Sequence, residues 1–148
     1  MRLLLICASI LVFAAHSHAG ELTVAIVNVE GGEGGVYVAL YGPEDGFPSR
    51  PCRWCQRAPA HPGTMEFHFR NLPAGDYAAS VYHDINGNGR LDTNRLGVPA
   101  EPYGFSRDAR GTFGPPSFDD AQFTVGDQPL TMEINLVSPA PELPELEQ

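Results

Sequence analysis

From Leu22 onward the chain alternates between apolar and polar positions. Leu22, Val24 and Ile26 share one parity, and Val36, Val38 and Leu40 repeat the pattern with Tyr37 and Tyr41 on the other. The sharpest contrast is Met65, Phe67 and Phe69 against Glu66, His68 and Arg70. Tyr77, Ala79 and Val81 form a further row, then Ala121, Phe123 and Val125, and last Leu130, Met132, Ile134 and Leu136 against Thr131, Glu133 and Asn135. Successive side chains of a strand point to opposite faces, so this period of two predicts strands with one dry and one wet face. No segment has the spacing of a convincing amphipathic helix. Glycine and proline interrupt the pattern at residues 30–35, 42–51 and 111–116. Six or more short strands with such turns predict an all-β domain, a single antiparallel β-sandwich.

Two stretches break the rhythm. Residues 42–63 hold Cys52, Cys55, Trp54 and several prolines. Residues 83–120 are too long for an ordinary connection in a compact domain, so this insertion is either ordered and functional or contains strands the pattern conceals. Residues 138–148, rich in Pro and Glu, read as a disordered tail.

The first residues change the picture of where the protein works. Arg2, the apolar run from Leu3 to Ala15 and the small residues of Ser17-His18-Ala19 read as a signal peptide over residues 1–19, too short for a membrane span. Ile6 is too large to precede a lipidated cysteine at Cys7. The mature chain is expected to start near Gly20, with the β-sandwich over residues 20–137 and a periplasmic or secreted bacterial location. Losing Arg2 takes the net charge from −9 to −10. All basic residues are arginine, and none cluster in a way that tracks a phosphate backbone, which excludes nucleic acid as the natural partner. No later apolar run is long enough to span a bilayer.

After processing, Cys52 and Cys55 are the remaining cysteines. An oxidising compartment favours a local disulfide between them. A redox pair lacks a surrounding βαβ pattern, and haem attachment needs histidine where Gln56 stands. Zinc needs a second pair of soft ligands, for which only His61 and His68 are near.

Residues 83–92 carry the most chemistry: His83-Asp84-Ile85-Asn86-Gly87-Asn88-Gly89-Arg90-Leu91-Asp92. Asp84, Asn86, Asn88 and Asp92 place side-chain oxygens at positions one, three, five and nine of a loop, with Gly89 at six and the Arg90 carbonyl at seven. That is the spacing of a calcium loop. The twelfth position is Arg95 where a bidentate carboxylate is expected, a role Glu101 can fill by returning from the insertion. The competing reading is a tight turn, since Asn86-Gly87 and Asn88-Gly89 favour positive φ and Asp84 suits an Asx turn. His83 shares the parity of Tyr77, Ala79 and Val81, which turns it inward. With Asp84 and Glu101 it forms the basis of an alternative reading as a small periplasmic enzyme. Ser106 and Ser117 lack a nucleophile-elbow pattern.

Tyr103, Phe105, Phe113 and Phe118 crowd the long insertion. They form either a ligand surface or a cap over the open end of the sandwich. Trp54 likewise is an interface anchor if exposed and packing for the disulfide if buried. Exposed Trp54 or Tyr103 would suit a carbohydrate.

The turn Asn71-Leu72-Pro73-Ala74-Gly75-Asp76-Tyr77 resembles those of transthyretin-like and carboxypeptidase-regulatory-like sandwiches, within the broader immunoglobulin-like class. Three further blocks come after it in order: His83-Asp84-x-Asn86-x-Asn88-Gly89-x-Leu91-Asp92, Gly97-x-Pro99-x-Glu101-x-Tyr103-Gly104-Phe105-Ser106, and Phe113-Gly114-x-Pro116-x-Phe118-x-x-Ala121. Together they resemble the bacterial domain-of-unknown-function family 2141 over nearly all of the mature chain. The resemblance implies an exported β-sandwich and brings no established activity or ligand. The cysteine segment departs from the family pattern. The expectation is therefore an exported binding or structural module of the bacterial envelope, partnered by an envelope protein or a carbohydrate, with calcium as the candidate cofactor and no catalytic motif.

Overall fold

The computed structural model describes residues 19–49 and 51–139. The predicted leader lies outside the described residues except for Ala19, and only Ser138 and Pro139 of the predicted tail fall within them. The strands are β1 (Ala19–Val29), β2 (Gly35–Tyr41), β3 (Trp54–Pro59), β4 (Gly63–Pro73), β5 (Gly75–Asp84), β6 (Tyr103–Phe105), β7 (Phe123–Val125) and β8 (Leu130–Asn135). They form two sheets: one in the order β4-β1-β8, the other β3-β2-β5-β6, with β7 paired to β5.

The alternation read from the sequence sets which faces meet. Leu22, Val24 and Ile26 of β1, Met65, Phe67 and Phe69 of β4, and Ile134 of β8 are buried against Val36, Val38 and Leu40 of β2 and Tyr77, Ala79 and Val81 of β5. Each such Val, Leu, Ile or Phe contributes about 1.5–3 kcal/mol on full burial, so this one cluster dominates the stability.

The protein is an all-β sandwich, as the pattern predicts, with local departures. β1 and β8 run parallel, Leu22 beside Leu130 through Val27 beside Asn135, so the first sheet is mixed and not wholly antiparallel. Residues 42–63 contain β3, whose outward residues are Cys55, Arg57 and Pro59 and whose inward ones are only half-buried. Ala121 belongs to no strand. It ends a one-turn helix, α1 (Phe118–Ala121), begun by a capping box between Ser117 and Asp120. Tyr41, expected on the wet face, is buried: it meets the Phe47 ring edge-on at 5.5 Å and donates to the Pro48 carbonyl at 3.0 Å. No helix among the described residues is long and apolar enough to cross a membrane.

The long insertion is ordered. Asn94 organises its tip: Asn94 Oδ1 accepts from the Leu96 and Val98 amides at 2.9 and 3.0 Å. The chain returns as β6, pairing Tyr103–Phe105 with Ser80–Tyr82 of β5. Gly104 permits this, because a Cβ there would meet the Asn135 carbonyl oxygen and Ile134 Cγ2 of β8, each at 2.8 Å. Ser106 then plugs the join, its hydroxyl accepting from the Ala79 amide at 2.9 Å and donating to the Ala121 carbonyl. The sandwich thus places the insertion along one edge and across the outer face of its larger sheet.

Candidate functional site

The end of β5 delivers Asp84 fully buried into the start of the loop. Asp84 Oδ1 accepts from the Asn88 amide at 3.0 Å and Oδ2 from the Gly89 amide at 2.8 Å. Asn86 Oδ1 shares that Asn88 amide at 3.0 Å, and Asn88 Oδ1 accepts from the Arg90 amide at 3.0 Å. Asn86 Nδ2 and Asn88 Nδ2 both donate to Asp92 Oδ2, at 2.6 and 2.8 Å, while Arg90 Nε donates to Asp92 Oδ1 at 3.1 Å. The Asn86 amide, with lesser help from Asn88 and Arg90, holds the Asp92 carboxyl below the usual carboxylate range. Glycines at positive φ, Gly87 at 75° and Gly89 at 82°, make the bends.

Glu101 does return to this loop from the insertion. Its buried carboxylate accepts from the Ile85 amide at 2.9 Å and from the Asp92 amide at 3.1 Å, clasping both ends of the turn. Behind it, Gly34 at φ +70° lets the β1–β2 connection pass the end of β5, where a Cβ would stand 1.8 Å from the Asp84 carbonyl oxygen.

The loop's oxygens are therefore satisfied by N–H groups of the protein itself. Asn86, Asn88, Asp92 and Asp84 do converge, but the two asparagines turn their NH₂ groups, not their carbonyl oxygens, toward Asp92. Among the described residues no group of three or more His, Cys, Asp or Glu side chains is arranged to hold a metal ion. A hard cation would have to turn both amides over, replacing two Asx turns by oxygen ligation.

His83, Asp84 and Glu101 are all buried, and each is engaged by main chain. His83 Nε2 lies 2.8 Å from the Glu33 carbonyl, so that nitrogen carries the proton and donates. None of the three lines the large groove that crosses the outer face of the larger sheet.

That groove holds about 1090 Å³. One wall is a ladder of directly paired residues across successive strands, Tyr37 of β2, Tyr82 of β5 and Tyr103 of β6, which Arg57 of β3 continues beyond the lining. The Tyr37 and Tyr82 rings stack 4.8 Å apart and 5° from parallel, with the Arg57 guanidinium 4.9 Å from the centre of the Tyr37 ring. The next row, Cys55, Ala39 and Ser80, is small, which makes the trough, and Phe105 closes its end. Phe47, outside the lining itself, meets Phe105 and Phe118 edge-on at 5.7 and 6.3 Å and so backs Phe105. On the rim, Leu96 is 88% exposed and Phe113 102%.

Of the aromatic residues singled out from sequence, Tyr103, Phe105 and Phe113 line the groove, and Phe118 supports it through Phe47. Trp54 instead faces the core side of β3, half-buried, with its ring 5.3 Å from Tyr77. Cys52 and Cys55 form a disulfide, Cα atoms 6.1 Å apart, and both border the groove. Sequence reasoning missed Tyr37 and Tyr82 as a pair. The signal available was only that each is a large aromatic on the wet parity of its strand.

Fold and site define an all-β sandwich whose insertion is clasped onto one sheet end and bounds an aromatic groove on the sheet's outer face. The chain matches, over residues 24–133, the family described as "Uncharacterized protein conserved in bacteria (DUF2141)", and it belongs to that family. No curated protein and no solved structure matches the chain.

Proposed function

We propose that the protein is an exported binding module of the bacterial envelope and that the groove over Tyr37, Tyr82 and Tyr103 is its ligand site. The observation that carries this reading is a built trough of about 1090 Å³ whose rim leaves Leu96 and Phe113 in water. Small-molecule sites usually hold about 300–1,000 Å³, so this groove suits an extended ligand. Exposed apolar side chains around a shaped concavity mark a surface meant to be covered. The ladder also bears on ligand class. Tyr37 has one ring face against Tyr82 and the other under Arg57, so it offers its edge and not a flat platform. That favours an extended, largely apolar chain over a stacked sugar ring.

The test is fluorescence titration with anilinonaphthalene sulfonate, an apolar probe bearing one negative charge. The pair Leu96→Asp and Phe113→Asp should weaken binding about tenfold or more, since each apolar contact is worth about 1.5 kcal/mol or above. Unchanged affinity in that pair would remove the groove as the ligand site.

A second reading, calcium in the Asp84 loop, draws on one observation: the side-chain amides of Asn86 and Asn88 meet at Asp92, so that turning both over would bring their oxygens beside its carboxylate. In that reading calcium tightens the loop and takes no part in chemistry.

A further inference from the structure

Resting on the groove reading, we infer that Arg90 is the groove's anion-recognising residue, mounted there by the Asp84 loop, and that the ligand is a long-chain fatty acid. Its hydrocarbon chain lies in the trough and its carboxylate meets Arg90. Loop and groove join at this residue. Arg90 and Leu91 both line the groove. The hydroxyl of Tyr82, a rung of the tyrosine ladder, donates to the Gly89 carbonyl at 3.2 Å, which ties the ladder to the loop one residue before the arginine.

Buried carboxylates make the mount. Asp84 accepts from the Gly89 amide at 2.8 Å and Glu101 from the Asp92 amide at 3.1 Å, so the main chain is held on both sides of Arg90. The Arg90 amide donates to Asn88 Oδ1 at 3.0 Å, and Arg90 Nε donates to Asp92 Oδ1 at 3.1 Å. A guanidinium presents its N–H donors in a rigid fork, and this pairing uses only the one on Nε. No hydrogen bond among the described residues takes up its terminal nitrogens, and the side chain is 75% exposed. That end of the fork is the one that grips both oxygens of a carboxylate. Anchoring the guanidinium through Nε lowers the ordering cost that a free arginine would bring to binding.

The charge of the lining points the same way. Its charged residues are Arg90, Arg110 and Asp108, in a protein whose formal net charge is −9. Asp108 uses both oxygens on Asn135, accepting from its main-chain amide at 3.0 Å and its side-chain NH₂ at 2.8 Å. Asp92, outside the lining, offsets part of the charge of Arg90, whereas Arg110 is in no ion pair among the described residues. So acidic a chain repels anions except where cations gather locally, and a neutral hydrocarbon has no use for such a bias. The surplus among the lining residues is one positive charge. It suits a monoanionic carboxylate better than a phosphate monoester, which carries about −1.5 to −2.

The experiment uses the full mature chain and a neutral dye, N-phenylnaphthylamine, followed by fluorescence. On the wild type at low salt, dodecanoate should displace the dye about fivefold more tightly than dodecanol, the same chain without the charge, as one well-formed exposed ion pair provides. In Arg90→Gln the two should come within about twofold of each other. The turn survives that change, because the bond from residue 90 to Asn88 is made by the main chain. Equal displacement on the wild type overturns the fatty acid, yet leaves the groove standing if Leu96→Asp with Phe113→Asp still weakens dye binding. Dye binding that ignores that pair overturns groove and ligand class together. A preference for dodecanoate that survives Arg90→Gln overturns the role of the loop's arginine, and its loss in Arg110→Gln then moves the role to Arg110. Tighter displacement by lysophosphatidylglycerol than by dodecanoate overturns the fatty acid in favour of a phosphate head.

Discussion

Replacing Glu101 by alanine tests whether the insertion is held by its clasp. The carboxylate accepts from the Ile85 amide at 2.9 Å and the Asp92 amide at 3.1 Å, from a side chain that is 5% exposed. Hydrogen bonds to a charged acceptor are worth about 1.5–3 kcal/mol each. Both amides lie close enough to solvent for water to recover part of that, so the lower end applies and the pair sums to about 3 kcal/mol. For a domain of this size that corresponds to a fall in melting temperature of roughly 10 °C. Glu101→Gln keeps one carbonyl acceptor but turns an NH₂ group toward the second amide, so it should lose about half as much. Urea unfolding gives the magnitude, and amide hydrogen exchange gives the place. Protection at Ile85 and Asp92 should fall more than at core amides such as Val38, because the clasp opens locally before the sandwich does. A Glu101→Ala variant within about 0.5 kcal/mol of wild type refutes the reasoning, since that is the range of an uninvolved surface substitution. So does full destabilisation with unaltered exchange at Ile85 and Asp92.

The same region and the proposed export signal carry three more expectations. Because hydrogen bonds lower the Asp92 pKa in the folded protein, its contribution is present above the unfolded carboxylate pKa and is lost as pH falls through the folded one. A carboxyl-carbon NMR titration should therefore place the Asp92 midpoint below about 3.9, and a midpoint at or above that value contradicts the hydrogen-bonded geometry. If calcium enters the loop, millimolar calcium should stabilise wild type but not Asp92→Ala, by well under roughly 3 kcal/mol, read as a rise in melting temperature. No response far above millimolar would leave the turn as the whole role of these residues. Export predicts that protein recovered from the periplasm has an intact mass starting near Gly20, and a product retaining Met1 would end that reading.

The sandwich was legible where a strand has both a clear dry parity and room for side chains. Met65, Phe67 and Phe69 are buried as the alternation requires, and His83 turns inward with Tyr77, Ala79 and Val81. β6 was not legible, because its inward residue is Gly104, which the neighbouring Asn135 and Ile134 exclude from carrying a side chain. β3 hid for a different reason: as an edge strand its inward residues are only half-buried, so Trp54-Cys55-Gln56-Arg57 shows little contrast. Parallel pairing of β1 with β8 leaves no trace in either strand's alternation. At the site, the sequence offered Glu101 only as a carboxylate able to return to the loop and could not show that it does; in the structure it bonds main-chain amides there. The groove was not, because Tyr37 and Tyr82 become neighbours only through the register of β2 on β5.

That parallel pair also governs the order in which the molecule can be completed. β1 is the middle strand of its sheet, yet one of its neighbours is the last strand among the described residues. Until residues 130–135 have been made and have found it, β1 presents an unpaired row of amides and carbonyls along one side. Such a long-range closure is slow to reach, because most of the chain must be gathered before it brings any return. The nascent protein is thus kept from finishing its core until residues 130–135 exist, and a chain cut short before Leu130 would carry a sticky, open strand in place of a folded domain.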